Sequence, residues 1–164
     1  MRANIFKWGG IFLLSFVLQT TVVPVIGIAG ITPDLLMVAL FFLALKNGQM
    51  AAVGTGFFLG LAQDLFSAPS ILGQNALSKT LSGFFAGFFN ERMMRVDFVF
   101  QIVLVFVTFM VNDAVYFIVQ VIKTDGGGVI HNLVATSVPR ALYSMLFALL
   151  PYIKERFLPT SFRR

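Results

Sequence analysis

Apolar residues fill six long runs along the chain, and short polar or glycine-rich breaks separate these runs. Crossing the hydrocarbon core of a bilayer takes about 20 mostly apolar residues in a helix. The pattern therefore predicts an all-α integral membrane protein with six transmembrane helices in a single polytopic domain, residues 1–164. The predicted spans cover about residues 8–26, 32–46, 48–67, 76–95, 98–122 and 131–153.

The start of the second span carries a local signal. Thr32-Pro33-Asp34 has the composition of a helix start, with Thr32 as N-cap, Pro33 at the first helical position and Asp34 near the positive end of the helix dipole. Counted from Thr32 to Leu45, this helix is about 21 Å long at 1.5 Å per residue, which is short for a ~30 Å hydrocarbon core. We therefore expect the preceding segment, Gly27–Ile31, to dip into the membrane edge.

Composition supports a membrane protein and excludes several other classes. Of the 164 residues, 58% are apolar, 12% are charged and none is cysteine. Soluble domains are about 45–50% apolar and about 25% charged, so this chain has more apolar surface than one small core could bury. Disorder needs the opposite composition, and a disulfide scaffold or a thiolate metal site needs cysteine.

The basic residues predict the orientation of the spans. With six spans and a cytoplasmic N-terminus, Lys123 is the single basic residue on the outer side, and Lys79 and Arg140 lie inside spans. The positive-inside rule then places both termini in the cytoplasm. The dispersed charges favour contact with anionic lipid headgroups of the bilayer and do not suggest nucleic acid binding. The basic residues on the cytoplasmic side are Arg2, Lys7, Lys46, Arg92, Arg95, Lys154, Arg156, Arg163 and Arg164.

Signatures of catalysis are missing from the sequence. It contains no HExxH, no GxSxG and no phosphate-binding glycine loop. Asp125 and His131 flank a triple glycine, but two residues do not make a metal site. We therefore predict a protein that is not an enzyme and needs no cofactor.

Two similar pentads suggest close packing of the third and fourth spans. Gly56-Phe57-Phe58-Leu59-Gly60 and Gly83-Phe84-Phe85-Ala86-Gly87 each place two glycines four residues apart, which lets helix backbones approach closely. An antiparallel register that pairs Gly60 with Gly83 and Gly56 with Gly87 also places Asp64 opposite Lys79. We predict this register, with Ala52 continuing the small-residue seam. The alternative is that the two glycine motifs belong to unrelated packing faces.

A second charge pair is predicted between the fifth and sixth spans. If residues 123–130 form the turn, Asp113 faces Arg140 about 13 Å below the outer edge, at 1.5 Å per residue. A lone charge at such a depth costs about 2.5–3.5 kcal/mol or more, so intramembrane charges are usually paired and are candidates for function. The alternative is a purely structural pair.

Several motifs resemble the rod shape-determining protein MreD family. They are Leu18-Gln19-Thr20, Pro33-Asp34-Leu35, and the segment from Gly48 through Gly60-Leu61 to Asp64. The specific part of the resemblance covers roughly residues 18–87, while the length, the span number and the basic tail agree with the family over the whole chain.

The resemblance implies a cell inner membrane protein of the bacterial elongation machinery, or elongasome. Its implied partners are an MreC-type periplasmic scaffold, a RodA-type glycosyltransferase with its partner transpeptidase, and an actin-like cytoskeletal filament, contacted directly or indirectly. The family offers no catalytic residues to transfer to this chain. Its fold resembles that of the substrate-binding subunits of energy-coupling-factor transporters.

That likeness defines a second hypothesis, a small-solute-binding membrane subunit of such a transporter. These subunits typically carry an alanine-x-x-x-alanine face on the first span, whereas this chain has Gly9, Gly10 and Ser15 there. The favoured prediction is a scaffold without enzymatic activity, involved in regulation of cell shape and in peptidoglycan synthesis.

Overall fold

A computed structural model describes residues 2–28, 31–66, 72–89, 98–123 and 136–157. Over these residues the predicted all-α fold is confirmed. The helices are α1 (Arg2–Thr21), α2 (Leu35–Asn47), α3 (Gln49–Phe66), α4 (Gln74–Phe88), α5 (Phe98–Lys123) and α6 (Val138–Phe157).

The helix ends follow local chemistry and differ in places from the predicted spans. α1 ends at Thr21 rather than Ile26, because Pro24 disfavours helical backbone in the residue before it. The N-cap of α2 is Asp34, so the prediction of Thr32 as N-cap is wrong. The Asp34 carboxylate accepts a hydrogen bond from the Met37 backbone N–H at 2.9 Å, and this bond stabilises a helix start two residues later than predicted.

Helix α2 lies at the centre of the fold. It contacts α1, α3, α4, α5 and α6, and most of its side chains are buried on every face. The unbroken apolar run Leu35–Leu45 is compatible with this position, because a helix that is apolar all round either lies in a protein core or contacts lipid. The other five described helices therefore pack around α2.

Membrane character is clearest in α5. Among the described residues, Phe100–Ile122 is the one helical stretch that is both long and apolar enough to cross a membrane. Trp8–Thr21 and Leu35–Asn47 are apolar but shorter. The six spans and the cytoplasmic termini stay predictions, as does the likeness to energy-coupling-factor subunits. The predicted fourth span continues into residues 90–97, and Asp125 and His131 lie in residues 124–135, outside the described ranges.

Candidate functional site: a buried charge cluster

An ion pair between Asp34 and Lys79 lies in the interior of the fold. The Lys79 ammonium is 2.7 Å from Asp34 Oδ2, and the two side chains are 0% and 2% exposed. The other Asp34 oxygen caps α2 through Met37. The Asp34 backbone N–H donates to the Ser144 hydroxyl of α6 at 2.9 Å. This single residue therefore connects α2, α4 and α6.

Arg140 extends the pair into a cluster of four charges. One guanidinium nitrogen lies 3.8 Å from Asp34 Oδ2, and another lies 3.8 Å from Asp113 Oδ1. Asp113 is buried and also accepts a hydrogen bond from the Asn112 amide at 3.1 Å. We call Asp34, Lys79, Asp113 and Arg140 the charge cluster. It connects α2, α4, α5 and α6 through side chains that carry two positive and two negative charges.

The predicted contact between Asp64 and Lys79 is wrong. The Lys79 carbonyl lies against Gly56, two helical turns from Asp64, and the Lys79 ammonium binds Asp34 instead. Asp64 accepts hydrogen bonds from the backbone N–H groups of Gly73, Asn75 and Ala76 at 2.9, 3.0 and 3.2 Å. These groups belong to the first turn of α4, whose N–H groups have no acceptor within the helix. Asp64 therefore stabilises the start of α4.

The small residues of α3 and α4 lie in the interface of these two helices, but the glycines do not face each other. A Cβ placed on Gly60 would collide with Ala76, and one on Gly56 would lie 2.7 Å from the Lys79 carbonyl oxygen. A Cβ on Gly83 would lie 2.9 Å from the Ala52 carbonyl oxygen, and one on Gly87 would lie 2.6 Å from the Gln49 Cα. The predicted glycine-to-glycine register is therefore wrong by about two turns. The observed register brings Asp64 to the unsatisfied N–H groups of α4 and still allows close contact of the backbones.

This register can be tested with cysteines, since the natural chain has none. A Cβ on Gly83 would lie 2.9 Å from the Ala52 carbonyl oxygen and 3.4 Å from the Ala52 Cβ, so after a small shift of the helices the two Cβ atoms reach the ~3.5–4.5 Å found in disulfides. We expect the variant Ala52→Cys with Gly83→Cys to form an intramolecular crosslink in membranes under mild oxidation. The control is Gly60→Cys with Gly83→Cys, which the glycine-to-glycine register would crosslink. Efficient crosslinking of the control alone would contradict the observed register.

Two features of the cluster lie beyond the sequence predictions. The sequence predicts Asp34 as part of a helix start and of a family motif, but does not identify it as the partner of Lys79. Gln19 of α1 donates to the Pro33 carbonyl at 3.1 Å and accepts from the Leu35 N–H at 2.8 Å, so it binds the backbone on both sides of Asp34. A signal did exist, because Lys79 inside a predicted span requires an acidic partner.

The position of Arg140 between two aspartates predicts the result of a charge exchange. We expect the swap Asp113→Arg with Arg140→Asp to recover little of the stability lost in the single alanine variants. The new Asp at position 140 would approach Asp34, and like charges in a buried site repel. The measurement is the amount of monodisperse protein extracted in detergent, with Asp113→Ala, Arg140→Ala and the double alanine as references. If the swap variant gave nearly as much monodisperse protein as the natural chain, the electrostatic interaction between Asp34 and position 140 would be negligible.

These features define an all-helical protein with a buried charge cluster around a central helix, and among its described residues one helix is long and apolar enough to cross a membrane. The model of the rod shape-determining protein MreD family matches residues 3–157, nearly the whole chain. The chain belongs to this family, and the predicted family membership is confirmed. No curated protein and no solved structure matches the chain.

Membership in this family indicates a general role for the chain. MreD proteins take part in rod shape determination and reside in the bacterial inner membrane. They are associated with the MreC/MreB shape machinery and are not known as enzymes.

Proposed function

We propose that the chain is a six-span scaffold of the bacterial elongation machinery in the cell inner membrane, without catalytic activity of its own. In this role it contributes to the regulation of cell shape and peptidoglycan synthesis. The observation that carries the proposal is the family match over residues 3–157. The partners we propose are an MreC-type periplasmic scaffold, a RodA-type glycosyltransferase with its transpeptidase, and, directly or indirectly, the actin-like filament.

The character of the charge cluster supports a structural role for it. Lys79 and Asp34 are almost fully buried and contact each other directly, so neither is presented to a substrate. Buried ionic groups can stabilise one arrangement of helices over its alternatives. The cluster would then maintain a fixed relative placement of α2, α4, α5 and α6, as a scaffold that presents helix faces to several partners requires.

Depletion in a rod-shaped bacterium that carries this chain tests the proposal. We expect rounded cells, because the family acts in rod shape determination. The natural chain and a Gly54→Leu variant should restore rods, whereas Gly60→Leu, which disrupts the α3–α4 interface, should not. Unchanged shape together with a new vitamin or metal requirement would contradict the scaffold proposal and favour a transporter subunit.

Partner capture from intact membranes gives an independent readout. Under the proposal, the tagged chain retains the MreC-type and RodA-type proteins. Retention of an ATPase coupling module in their place would identify the chain as a subunit of a transporter. The Gly54→Leu and Gly60→Leu variants again form a matched pair, since both add the same side chain to the same helix.

A further inference from the structure

The connection between α1 and α2 is apolar and exposes several of its side chains. We call residues 22–28 and 31–34 the connecting segment. No charged residue occurs between Lys7 and Asp34. Val25 is 83% exposed and Ile28 is 68% exposed, and exposed apolar side chains that lie together mark a surface that contacts a membrane or a partner. Neither the family role nor the scaffold proposal assigns a contact to this segment.

The lengths of α2 and α3 show where the segment lies relative to the helix ends. The two helices meet at Gly48 and have 13 and 18 residues. They run antiparallel in step, because Leu40 contacts Gly56 and both residues are eight positions from Gly48. At 1.5 Å per residue, α2 is about 20 Å long and α3 about 27 Å, so α2 begins about 7.5 Å short of the end of α3 at Phe66. The residues that enter α2 therefore lie beside the last turns of α3 and not beyond them.

A bilayer would place this level inside its hydrocarbon core, which is about 30 Å thick. The apolar part of α1, Trp8–Thr21, is about 21 Å long, and α2 is about as short. Neither helix that flanks the connecting segment is thus long enough to cross the core. This step rests on the six-span arrangement proposed above, in which both helices start from the cytoplasmic side of the membrane.

The backbone of the connecting segment is hydrogen-bonded within the protein. Ile28 and Ile31 exchange two backbone hydrogen bonds, at 3.1 and 2.9 Å. The Val22 carbonyl accepts from the N–H groups of Val25 and Ile26 at 3.0 and 3.2 Å. Lipid chains offer no hydrogen-bond partner, so non-helical backbone at membrane depth needs partners inside the protein. These bonds meet that requirement, while the apolar side chains remain exposed.

Three polar side chains of neighbouring helices bind the same backbone. The Tyr143 hydroxyl of α6 donates to the Ile26 carbonyl at 3.0 Å. Gln19 of α1 binds the backbone on both sides of Asp34, and Ser144 of α6 accepts from the Asp34 N–H. In water, solvent could take the place of each of these side chains. In lipid nothing else could, because an unsatisfied backbone group is costly there.

We propose that the connecting segment lies within the bilayer and that its exposed side chains, Val25 and Ile28, contact lipid chains. Gln19, Tyr143 and Ser144 keep it there by satisfying its backbone. The segment is then a surface for lipid and not a loop that meets a soluble partner.

Single cysteines can test this placement, because the natural chain has none. Val25→Cys and Ile28→Cys are reconstituted in liposomes of phosphatidylethanolamine and phosphatidylglycerol, and a charged maleimide is added on both sides of the bilayer. Asn47→Cys, exposed between α2 and α3, is the reference for water. Val107→Cys, exposed in the apolar stretch of α5, is the reference for lipid.

We expect positions 25 and 28 to react at least about tenfold more slowly than position 47, and about as slowly as position 107. The charged reagent is excluded from hydrocarbon, and a thiol there stays in its unreactive protonated form. Fast labelling at 25 and 28 with slow labelling at 107 would overturn the proposal and leave the spans in place. Fast labelling at all four positions would overturn the six-span arrangement as well.

A matched pair of tyrosine variants tests the role of the polar side chains. Tyr143→Phe removes one hydroxyl and leaves the Ile26 carbonyl without its donor from α6. It should raise the labelling rate of Ile28→Cys several-fold, because an unsatisfied carbonyl disfavours the position in lipid. Tyr116→Phe removes the same hydroxyl from α5 and should leave the rate unchanged. Equal rates in the two variants would overturn the role of Tyr143 in keeping the segment in the bilayer.

Discussion

Replacing Lys79 by methionine is expected to lower the free energy of unfolding by about 3–5 kcal/mol, the usual cost of removing one member of a buried ion pair. The substitution keeps most of the side-chain volume and leaves the Asp34 carboxylate buried without its 2.7 Å partner. Arg140 remains 3.8 Å away and offsets part of the loss. The protein is unfolded in detergent, and the fraction that stays monodisperse is the readout of unfolding.

Two further variants separate the charge effect from other effects. Asp34→Asn keeps an amide oxygen that can cap α2 but removes the carboxylate that pairs with Lys79. It should therefore lower the free energy of unfolding at least as much as Lys79→Met. The double variant Asp34→Asn with Lys79→Met should lose less than the two single losses together, with a coupling of about 0.5–3 kcal/mol. Additive losses in the double variant would show that the two residues are not coupled.

The hydrophobic pattern predicts the all-α fold, which is confirmed over the described residues. The run Leu35–Leu45 is apolar on every face, and α2 is indeed surrounded by other helices. The helix starts at α2 and α4 were less predictable, because each depends on which carboxylate reaches the free N–H groups. Asp34 acts within its own helix, whereas Asp64 reaches α4 from the end of α3.

The partner of Lys79 could not be identified from the sequence, although the need for one could. Counting along an antiparallel hairpin considers only the neighbouring helix, and it gave Asp64. The actual partner, Asp34, precedes a helix that is not adjacent to α4 in sequence and contacts α4 only in the folded protein. A register chosen to align glycines also left the α4 N–H groups without an acceptor. In the observed register Asp64 accepts hydrogen bonds from these groups.

Charge and small residues act together in this fold. Close approach of α3 and α4 places the backbone of Lys79 against Gly56, and the Lys79 side chain then extends to Asp34 beside α2. The small residues at the α3–α4 interface, which we call the glycine seam, therefore position one member of the charge cluster. A change that separates α3 from α4 should also displace Lys79 from Asp34, so its cost should exceed that of steric overlap alone.

Gly60→Leu is the substitution that tests this coupling, and Gly54→Leu on the same helix is its control. A Cβ at position 60 would collide with the α4 backbone at Ala76, whereas one at position 54 would meet nothing within 4 Å. Overpacking of a close contact costs about 1–3 kcal/mol or more, and displacement of Lys79 would add to it. At position 54, leucine should be neutral or slightly stabilising, because glycine is the weaker helix former by about 1 kcal/mol. In detergent unfolding we therefore expect Gly60→Leu to be much less stable than Gly54→Leu. In the background of Asp34→Asn with Lys79→Met, where the charges are gone, the loss from Gly60→Leu should be smaller. An unchanged loss in that background would show that the glycine seam and the charge cluster act independently.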